Sequence, residues 1–158
     1  MSAAIETLPP QLRPMRQEDV PSVAALEREA YDFPWSAGIF RDCLLAGYTA
    51  MLLEQDTEVV GYSVMSVAAG EAHLLNICLA PHLRRRGIGR RLLQQMLDLA
   101  VQAGAERVFL EVRPSNTDAM RLYGAAGFDA IGIRRGYYRA SGGNEDAVVL
   151  VRRVGKDL

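Results

Sequence analysis

Residues 74–95 read LLNICLAPHLRRRGIGRRLLQQ, and this stretch decides the fold. Leu74–Leu79 is a near-continuous apolar run of strand length, which Pro81 ends because proline has no backbone N–H to donate. From Ile88 onward, apolar residues recur at every third or fourth position, as they do on one face of a helix. The stretch therefore predicts a strand, a basic loop and an amphipathic helix, in that order.

The basic loop contains three arginines and two glycines. Its members are Arg84, Arg85, Arg86, Gly87, Ile88 and Gly89. The first N–H groups of a helix have no partner within the helix, and the positive end of the helix dipole lies beside them. Together with the guanidinium groups, these N–H groups favour an anion, and a pyrophosphate fits best.

Three other interpretations compete for the same loop. A nucleotide-binding P-loop requires GxxxxGK[ST], which this chain lacks. A Rossmann fingerprint requires a small residue three positions after Gly89, where Leu92 stands. The third alternative is a plain helix start, because a basic turn rich in glycine often has no other role.

Length and composition indicate one globular domain. The chain has 158 residues, of which 49% are hydrophobic, enough for one substantial core. It has no run of eighteen apolar residues, and its N-terminus carries an acid and prolines where a signal peptide has an apolar block. We therefore expect a single domain over residues 1–158, with a mobile arm at 1–10. We also expect a cytoplasmic location and no direct binding to membranes or nucleic acid.

The two cysteines, Cys43 and Cys78, lie in hydrophobic stretches and are too few for a disulfide framework. No CxxC motif or Cys/His cluster provides metal ligands. We expect two reduced thiols in the core and a reaction without a metal.

Charge is distributed unevenly, although the net charge is only −1. Residues 1–80 contain four arginines and eleven acids, and residues 81–158 contain fourteen basic residues and eight acids. A basic second half suits a polyanionic cofactor, and an acidic first half suits a cationic acceptor. Solvated surfaces explain such charge distributions more often than ligands do.

Strand and helix patterns alternate along the chain. The predicted helices are 19–30, 36–45, 88–104 and 116–125, and the predicted strands are 12–15, 49–53, 59–67, one ending at Leu79, 107–112, 128–135 and 147–154. Asp19 and Ser36 are expected helix N-caps, and residues 136–146 an expected polar loop. These elements predict a mixed α/β (α+β) fold, with a mostly antiparallel central sheet of about seven strands and about four helices.

Two motifs resemble those of one family. The spacing Arg84-x-x-Gly87-x-Gly89 is similar to the acetyl-CoA loop of the GNAT superfamily of N-acetyltransferases, and LEVRxSNxxAxxLYxxxGF at 110–128 is similar to the continuation of that cofactor site. The second motif is especially similar to that of the RimI-type ribosomal-protein alanine N-acetyltransferases. Further likenesses to this subgroup lie at 33–36, 133–138 and 145–147. The resemblance covers essentially the whole chain.

The resemblance implies a GNAT fold with a strand that splays from its neighbour at the acetyl-CoA site. Strand residues there would contribute backbone groups, and Asn116 would contact the pantetheine arm or only cap its helix. The residues expected to bind acetyl-CoA are Ile77, Cys78, Leu79, Arg84, Arg85, Arg86, Gly87, Ile88, Gly89, Arg90, Asn116 and Tyr123.

Glu111 and Tyr123 are the expected catalytic residues. Acetyl transfer to an amine needs a neutral nucleophile and a proton for the departing thiolate. The pKa of an α-amine is about 8, so a carboxylate can deprotonate it directly or through water, whereas a lysine with a pKa near 10.4 needs more help. The resemblance assigns the base to Glu111 and the acid to Tyr123. The alternatives are a salt bridge from Glu111 to Arg113 or another arginine, and a core position for Tyr123.

The acceptor pocket is expected from the same likeness. Its residues would be Phe33, Trp35, Asn76, Glu111, Arg134, Tyr137 and Tyr138. The aromatic loop that contains Trp35 serves equally well to pack on the sheet. His73 and His82 have no carboxylate at motif spacing, and we interpret both as ordinary residues.

These observations predict an enzyme that transfers acetyl from acetyl-CoA to the N-terminal α-amine of a protein. By resemblance, the preferred acceptor is the N-terminal alanine of a small-subunit ribosomal protein, which would be a basic partner. The alternatives are a broader N-terminal, lysine or small-amine acetyltransferase, and a non-catalytic acetyl-CoA-binding domain.

Overall fold

The computed structural model describes residues 8–155, so most of the predicted arm lies outside the described residues. The strands are β1 (Gln11–Pro14), β2 (Thr49–Gln55), β3 (Glu58–Ala68), β4 (Glu71–Leu79), β5 (Arg107–Val112), β6 (Asp129–Ala140) and β7 (Gly143–Arg153). The α-helices are α1 (Val20–Ala30), α2 (Ala37–Leu45), α3 (Ile88–Gln102) and α4 (Thr117–Ala125). The sheet order is β1-β2-β3-β4-β5-β7-β6, with β5 parallel to β4 and the pairs β1–β2, β5–β7 and β6–β7 antiparallel. This architecture confirms the predicted fold class.

The chain folds into two compact units. The first runs to Val64 and resumes over Asn76–Arg84, and the second comprises Met65–Leu75 and the chain from Arg85 onward. Core residues of the first unit include Val20, Val23, Phe40, Leu52 and Tyr62, and those of the second include Leu92, Met96, Val108 and Leu110. The two cysteines are free and buried, as predicted.

Helix α3 has the amphipathic character that the sequence predicted. Its buried residues are Leu92, Leu93, Met96, Leu97 and Ala100, which recur at helical spacing. The helix ends near Gly104, whose φ of 90° is strained for residues other than glycine. Within residues 8–155, none of the helices is both long and apolar enough to span a membrane.

Strands β4 and β5 separate after a short parallel pairing. Their register joins Glu71 to Arg107, Ala72 to Val108 and His73 to Phe109. Beyond the last of these pairs, β4 continues for six residues and β5 for three. Backbone groups at such a fork are free of the ladder between these strands and can pair with a ligand. The predicted splay of this strand is confirmed.

The predicted loop at 136–146 is wrong, because the structure continues the β6–β7 hairpin through it. The pairs Tyr138–Glu145, Arg139–Asn144 and Ala140–Gly143 close the hairpin at a turn over residues 141–142. A register irregularity between 134 and 138 accommodates Gly136, whose φ is 61°. Strand β6 lies at the edge of the sheet and is largely exposed, so its sequence is polar and resembles that of a loop.

Of the two expected N-caps, Ser36 caps its helix by a side-chain hydrogen bond and Asp19 does not. Ser36 accepts a hydrogen bond from the N–H of Ile39 at 3.3 Å, whereas Asp19 precedes α1 without capping it by its side chain. The carboxylate of Asp19 instead binds Arg13 through two bonds of 2.8 Å and the N–H of Arg16. Hydrogen bonding to Arg13 lowers the pKa of Asp19. Asp19 therefore occupies the predicted N-cap position, but its side chain does not accept from the helix N–H groups. It binds Arg13 instead, because a guanidinium is a stronger donor than a helix N–H.

Candidate active site

The basic loop has backbone geometry suited to an anion. A 3-10 turn at Pro81–Leu83 leads into an extended Arg84, and Arg85 then adopts a φ of 64°. Gly87, with a φ of 75°, is the N-cap of α3 and has no side chain to satisfy the N–H groups of the first turn. Left-handed residues beside a helix N-terminus direct N–H groups into an anion-binding concavity. A positive φ is unfavourable for arginine, so Arg85 holds this conformation at some cost in free energy.

Arg90 and Asn116, two further predicted cofactor residues, have structural contacts of their own. Arg90 Nη2 donates to the carbonyl of Ala125 at 3.4 Å. Asn116 Oδ1 accepts from the N–H of Ala119 at 3.1 Å and thereby caps α4. The capping role of Asn116 is therefore confirmed, and its contact with a cofactor stays a prediction.

Two backbone carbonyl groups near the end of β4 accept hydrogen bonds from side chains of the first unit. Ser63 Oγ donates to the carbonyl of Asn76, and the hydroxyl of Tyr31 donates to the carbonyl of Ile77, both at 2.9 Å. Burial raises the pKa of the Cys78 thiol to about 11. The thiol therefore stays protonated at neutral pH and is a poor nucleophile.

Glu27 is a buried carboxylate that the sequence analysis missed. Only 2% of the residue is exposed. Its Oε1 accepts from the Tyr62 hydroxyl and from Asn76 Nδ2, and its Oε2 accepts from the N–H of Trp35 at 2.8 Å. Three donors offset the penalty of burying this charge, and they fix two of the predicted acceptor residues, Trp35 and Asn76. Helical spacing from Val23 puts Glu27 on the buried face of α1, and this spacing could have identified it.

The aromatic loop before α2 contains one packed ring and one exposed ring. The ring of half-buried Trp35 packs against the core residue Phe40, with centroids 5.3 Å apart. Phe33 remains 43% exposed. The packing role of the loop is therefore confirmed for Trp35, and a contact of either ring with an acceptor stays a prediction.

Glu111 lies on β5 with only 4% of its side chain exposed. Its Oε2 lies 2.5 Å from Nε2 of His73. Its Oε1 lies 3.8 Å from Nε of Arg134, which is the distance of an ion pair and too long for a hydrogen bond. Within the described residues, this buried Oε1 has no hydrogen-bond partner. An unsatisfied buried oxygen is unfavourable, so Oε1 is the candidate proton acceptor of the site.

The interpretation of His73 as an ordinary strand residue is wrong, because Glu111 is its partner. The two residues are 38 positions apart, and no short motif joins them. The parallel register sets His73 opposite Phe109, so Glu111 is two positions further along the same face of β5. His73 also stacks on Phe109, with ring centroids 4.6 Å apart. Only the register of two predicted strands could have revealed this pair.

Two tyrosines of the second unit interact with the charge of Glu111 and with two arginines. Tyr137 and Tyr138 contact each other edge to face, with Arg134 5.5 Å from the first ring and Arg113 4.4 Å from the second. Burial raises the pKa of both hydroxyls, and the charge of Glu111 raises it further. Both tyrosines are therefore neutral hydrogen-bond donors at physiological pH.

Glu145 fixes the segment between β5 and α4. It accepts from the hydroxyl and the N–H of Ser115, at 2.9 and 3.0 Å, and lies 3.3 Å from Arg113 Nη1. The hydrogen bond from the Ser115 hydroxyl is the first cause of its lowered pKa. Arg113, considered above as a partner of Glu111, thus forms an ion pair with Glu145.

Tyr123 lies on α4, is 6% exposed and packs edge to face on Phe128 at 5.7 Å. Burial raises its pKa, and the nearby Tyr138 adds to the shift. A phenol in this state keeps its proton well above neutral pH. It is therefore a core residue that also retains a proton to donate.

The predicted residues, together with Glu27 and His73 that the structure adds, form two groups, one in each unit. Trp35 and Asn76 meet at Glu27 in the first unit. The second unit collects a group from β4, β5, α4 and β6, which consists of His73, Glu111, Arg113, Tyr123, Arg134, Tyr137 and Tyr138. Within residues 8–155, Arg90 and Asn116 instead contact Ala125 and Ala119 of the second unit.

Sequence comparison identifies the family. Residues 12–128 match the model of the acetyltransferase (GNAT) family. This chain belongs to the GNAT family. The family prediction made from the two motifs is thus confirmed.

Individual GNAT proteins resemble the chain over most of its length. A ribosomal protein bS18-alanine N-acetyltransferase from Escherichia coli K12 is 36% identical over 132 residues, covering 84% of this chain and 89% of that protein. The crystal structure of the Escherichia coli ribosomal-protein-S18-alanine N-acetyltransferase superposes with a TM-score of 0.87 at 31% identity, covering 95% and 97% of the two chains. A phosphinothricin acetyltransferase from Sinorhizobium meliloti, solved in complex with AcCoA, shares the fold with a TM-score of 0.78 at 20% identity, covering 94% and 90%.

Proposed function

We propose that this protein transfers the acetyl group of acetyl-CoA to the α-amine of an N-terminal alanine, on a ribosomal protein of the bS18 type. Membership of an acetyltransferase family supports the reaction class, and the relatives named for this activity match most of the chain. The observation that carries the proposal is the buried Glu111 carboxylate, whose Oε1 has no hydrogen-bond partner within residues 8–155. Such an atom is suited to receive a proton from an amine. A ribosomal acceptor would also locate the enzyme in the cytoplasm.

Acetyl-CoA is the proposed cosubstrate. The left-handed backbone at Arg85 and Gly87 and the uncapped first turn of α3 fit a pyrophosphate, and the adjacent arginines would neutralise its charge. We assign the pantetheine arm to the end of β4, where pairing with β5 has stopped.

The chemistry follows from the states of two side chains. The neutral α-amine attacks the thioester carbonyl, the new C–N bond forms and the C–S bond breaks. Glu111 takes the proton that the nitrogen loses, and the Tyr123 hydroxyl gives a proton to the thiolate. Return of the proton from Glu111 to Tyr123 through water restores the enzyme. Because burial raises the pKa of Tyr123, its hydroxyl stays protonated until the thiolate leaves.

The family resemblance supports acceptor-binding roles for several aromatic and polar residues. We assign Phe33, Trp35, Asn76, Arg134, Tyr137 and Tyr138 to acceptor binding. Tyr137 and Tyr138 are neutral donors beside Glu111, a position suited to the backbone carbonyls of an N-terminal peptide.

A pair of peptides tests the proposal. One is a basic peptide that begins with alanine, and the other is its N-terminally blocked copy with an internal lysine. We expect mass spectrometry to find the acetyl group on the free α-amine and slow or undetectable reaction of the blocked peptide, because lysine is far harder to deprotonate. Equal rates for the two peptides would replace the α-amine by a lysine acceptor. Absence of turnover on both peptides and on small amines would favour a non-catalytic acetyl-CoA-binding domain.

A further inference from the structure

We propose that His73 is a positioning residue for Glu111: it holds one carboxylate oxygen and leaves the other to accept the proton of the acceptor amine. This inference rests on the proposed role of Glu111 as the base. It adds a residue that the motif resemblance does not include.

The proposed role of Glu111 sets the direction of the hydrogen bond. His73 Nε2 and Glu111 Oε2 are 2.5 Å apart. A carboxylate that acts as a base is ionised and can only accept, so in the reactive state Nε2 carries the hydrogen and donates it. Stacking on Phe109, at 4.6 Å and 22° between planes, holds the imidazole in the plane that this bond requires.

The position of Glu111 in the sheet explains why a side chain is needed to hold its carboxylate. His73 and Phe109 form the last paired residues of β4 and β5, and the ladder between these strands ends there. Glu111 therefore lies past the point where backbone pairing with β4 restrains β5. The contact from His73 reaches two residues beyond its own partner and restrains the carboxylate at the fork.

Two other buried carboxylates show what a purely structural role looks like. Both oxygens of Asp19 accept hydrogen bonds, from Arg13 and the N–H of Arg16. Both oxygens of Glu27 accept hydrogen bonds as well. Glu111 differs, because His73 engages Oε2 and Oε1 has no hydrogen-bond partner among the described residues.

Because His73 binds Oε2, the proton of the acceptor amine goes to Oε1. The N–H bond of the attacking amine breaks and an O–H bond forms at Oε1, while the imidazole keeps its proton throughout. Without the bond from His73, the carboxyl group could rotate about its terminal torsion, which has broad preferences. The base would then spend less time in the reactive orientation, which lowers kcat and leaves cosubstrate binding unchanged.

Substitutions that remove or imitate the donor test the proposal. His73→Leu removes the N–H, and His73→Gln supplies a neutral N–H at a similar distance from the backbone. With an alanine-initiated peptide, we expect His73→Leu to lower kcat about 10- to 100-fold while the KM for acetyl-CoA changes less than about twofold. We expect His73→Gln to recover kcat to within about threefold of the unmodified enzyme. His82→Leu, on the exposed 3-10 turn, is the matched control and should keep full activity.

A double-mutant cycle separates this role from a general structural one. If His73 acts only through Glu111, adding His73→Leu to Glu111→Gln should cause no further loss of kcat. Normal kcat in a folded His73→Leu variant, a Gln variant as slow as the Leu variant, or an undiminished effect of His73→Leu beside Glu111→Gln would each overturn the inference. Full activity of Glu111→Gln alone would instead refute the proposed base, and with it the reason for positioning it.

Discussion

Arg85 has a strained backbone conformation and lies in the loop that is proposed to bind acetyl-CoA. Its φ of 64° is unfavourable for a residue with a Cβ atom, by roughly 1–2 kcal/mol, and glycine adopts it freely. We expect Arg85→Gly to raise the free energy of unfolding by about 0.5–1 kcal/mol, after allowing for the greater entropy of glycine in the unfolded chain. The same variant should bind acetyl-CoA more weakly, because a guanidinium is lost. Urea unfolding and calorimetric titration measure the two effects.

The neighbouring Arg86 provides the control, since its φ is not positive. Arg86→Gly should destabilise the fold by about 0.5–1 kcal/mol, because it adds unfolded-state entropy without relieving strain. Similar stability changes in the two variants would show that the backbone of Arg85 is not strained.

The substitution Tyr123→Phe distinguishes the proposed proton donation by the hydroxyl from the packing of the ring. The ring contact with Phe128 survives, and only the hydroxyl is lost. We expect kcat to fall roughly ten- to a thousandfold, with acetyl-CoA affinity within a few fold of the unmodified protein. Stopped assays at saturating acetyl-CoA measure the first quantity and calorimetry the second. Because the pKa of Tyr123 is raised, the unmodified enzyme should show no loss of activity from its deprotonation up to about pH 10.

An unchanged kcat in the phenylalanine variant would leave Tyr123 with a packing role alone. Tyr48→Phe is a suitable control, because Tyr48 is 39% exposed and lies in the first unit. That variant should lose neither activity nor acetyl-CoA affinity.

Individual site residues could be proposed from the sequence where they belong to a short motif. Glu111 and Tyr123 could be proposed because they stand within one continuous pattern. His73 could not, because its carboxylate partner is 38 residues away. Helical spacing could place Glu27 on the buried face of α1, but it could not identify the partners of Glu27, which are 8 to 49 residues away. Such pairs depend on strand register and helix packing, which a single sequence specifies only indirectly.

Between elements, the approach of β3 to β4 depends on one glycine. A Cβ atom at Gly61 would lie 2.9 Å from Leu79 Cδ2 and 3.0 Å from the carbonyl oxygen of Cys78. The leucine can move, but the backbone carbonyl cannot move without shifting β4. We expect Gly61→Ala to lower the free energy of unfolding by about 1–3 kcal/mol, as measured by thermal or urea unfolding.

Gly132 on β6 is the matched strand glycine. A Cβ atom there meets nothing within 4 Å, and its φ is not positive. Gly132→Ala should therefore be neutral or stabilise the fold by up to about 1 kcal/mol. Equal losses in both variants would mean that contact with β4 is not the reason for a glycine at position 61.

The elements themselves were largely predictable, because periodicity and caps are local properties. Strand β5 was predicted with its observed limits, and α1, α2 and α4 within one residue at each end. The failure at 136–146 has a physical cause: an exposed edge strand needs no apolar alternation, so polarity alone does not distinguish it from a loop.

Across the whole chain, the charge asymmetry seen in the sequence is retained in the two structural units. By sequence, the first unit has five basic and ten acidic residues, and the second has thirteen basic and nine acidic residues. A net charge of +4 on the unit that contains Gly87 and most of the loop arginines favours a polyanionic ligand. Surface potentials of this kind act mainly on association and weaken as salt is added.

Acetyl-CoA should consequently stabilise the whole fold. A ligand that binds only the folded state adds about 2.7 kcal/mol at a concentration 100 times its Kd, which for a chain of this size raises the Tm by about 5–10 °C. S-acetylpantetheine has the thioester without the pyrophosphate, so at equal concentration we expect it to raise the Tm much less. Gly89→Val should abolish most of the shift with acetyl-CoA, because the added side chain would hold the pyrophosphate away from the N–H groups. Differential scanning fluorimetry at about 0.05 and 0.5 M salt completes the test, since screening should shrink the shift for acetyl-CoA and leave that for S-acetylpantetheine nearly constant. Equal shifts for the two ligands would show that the basic loop does not bind the phosphates.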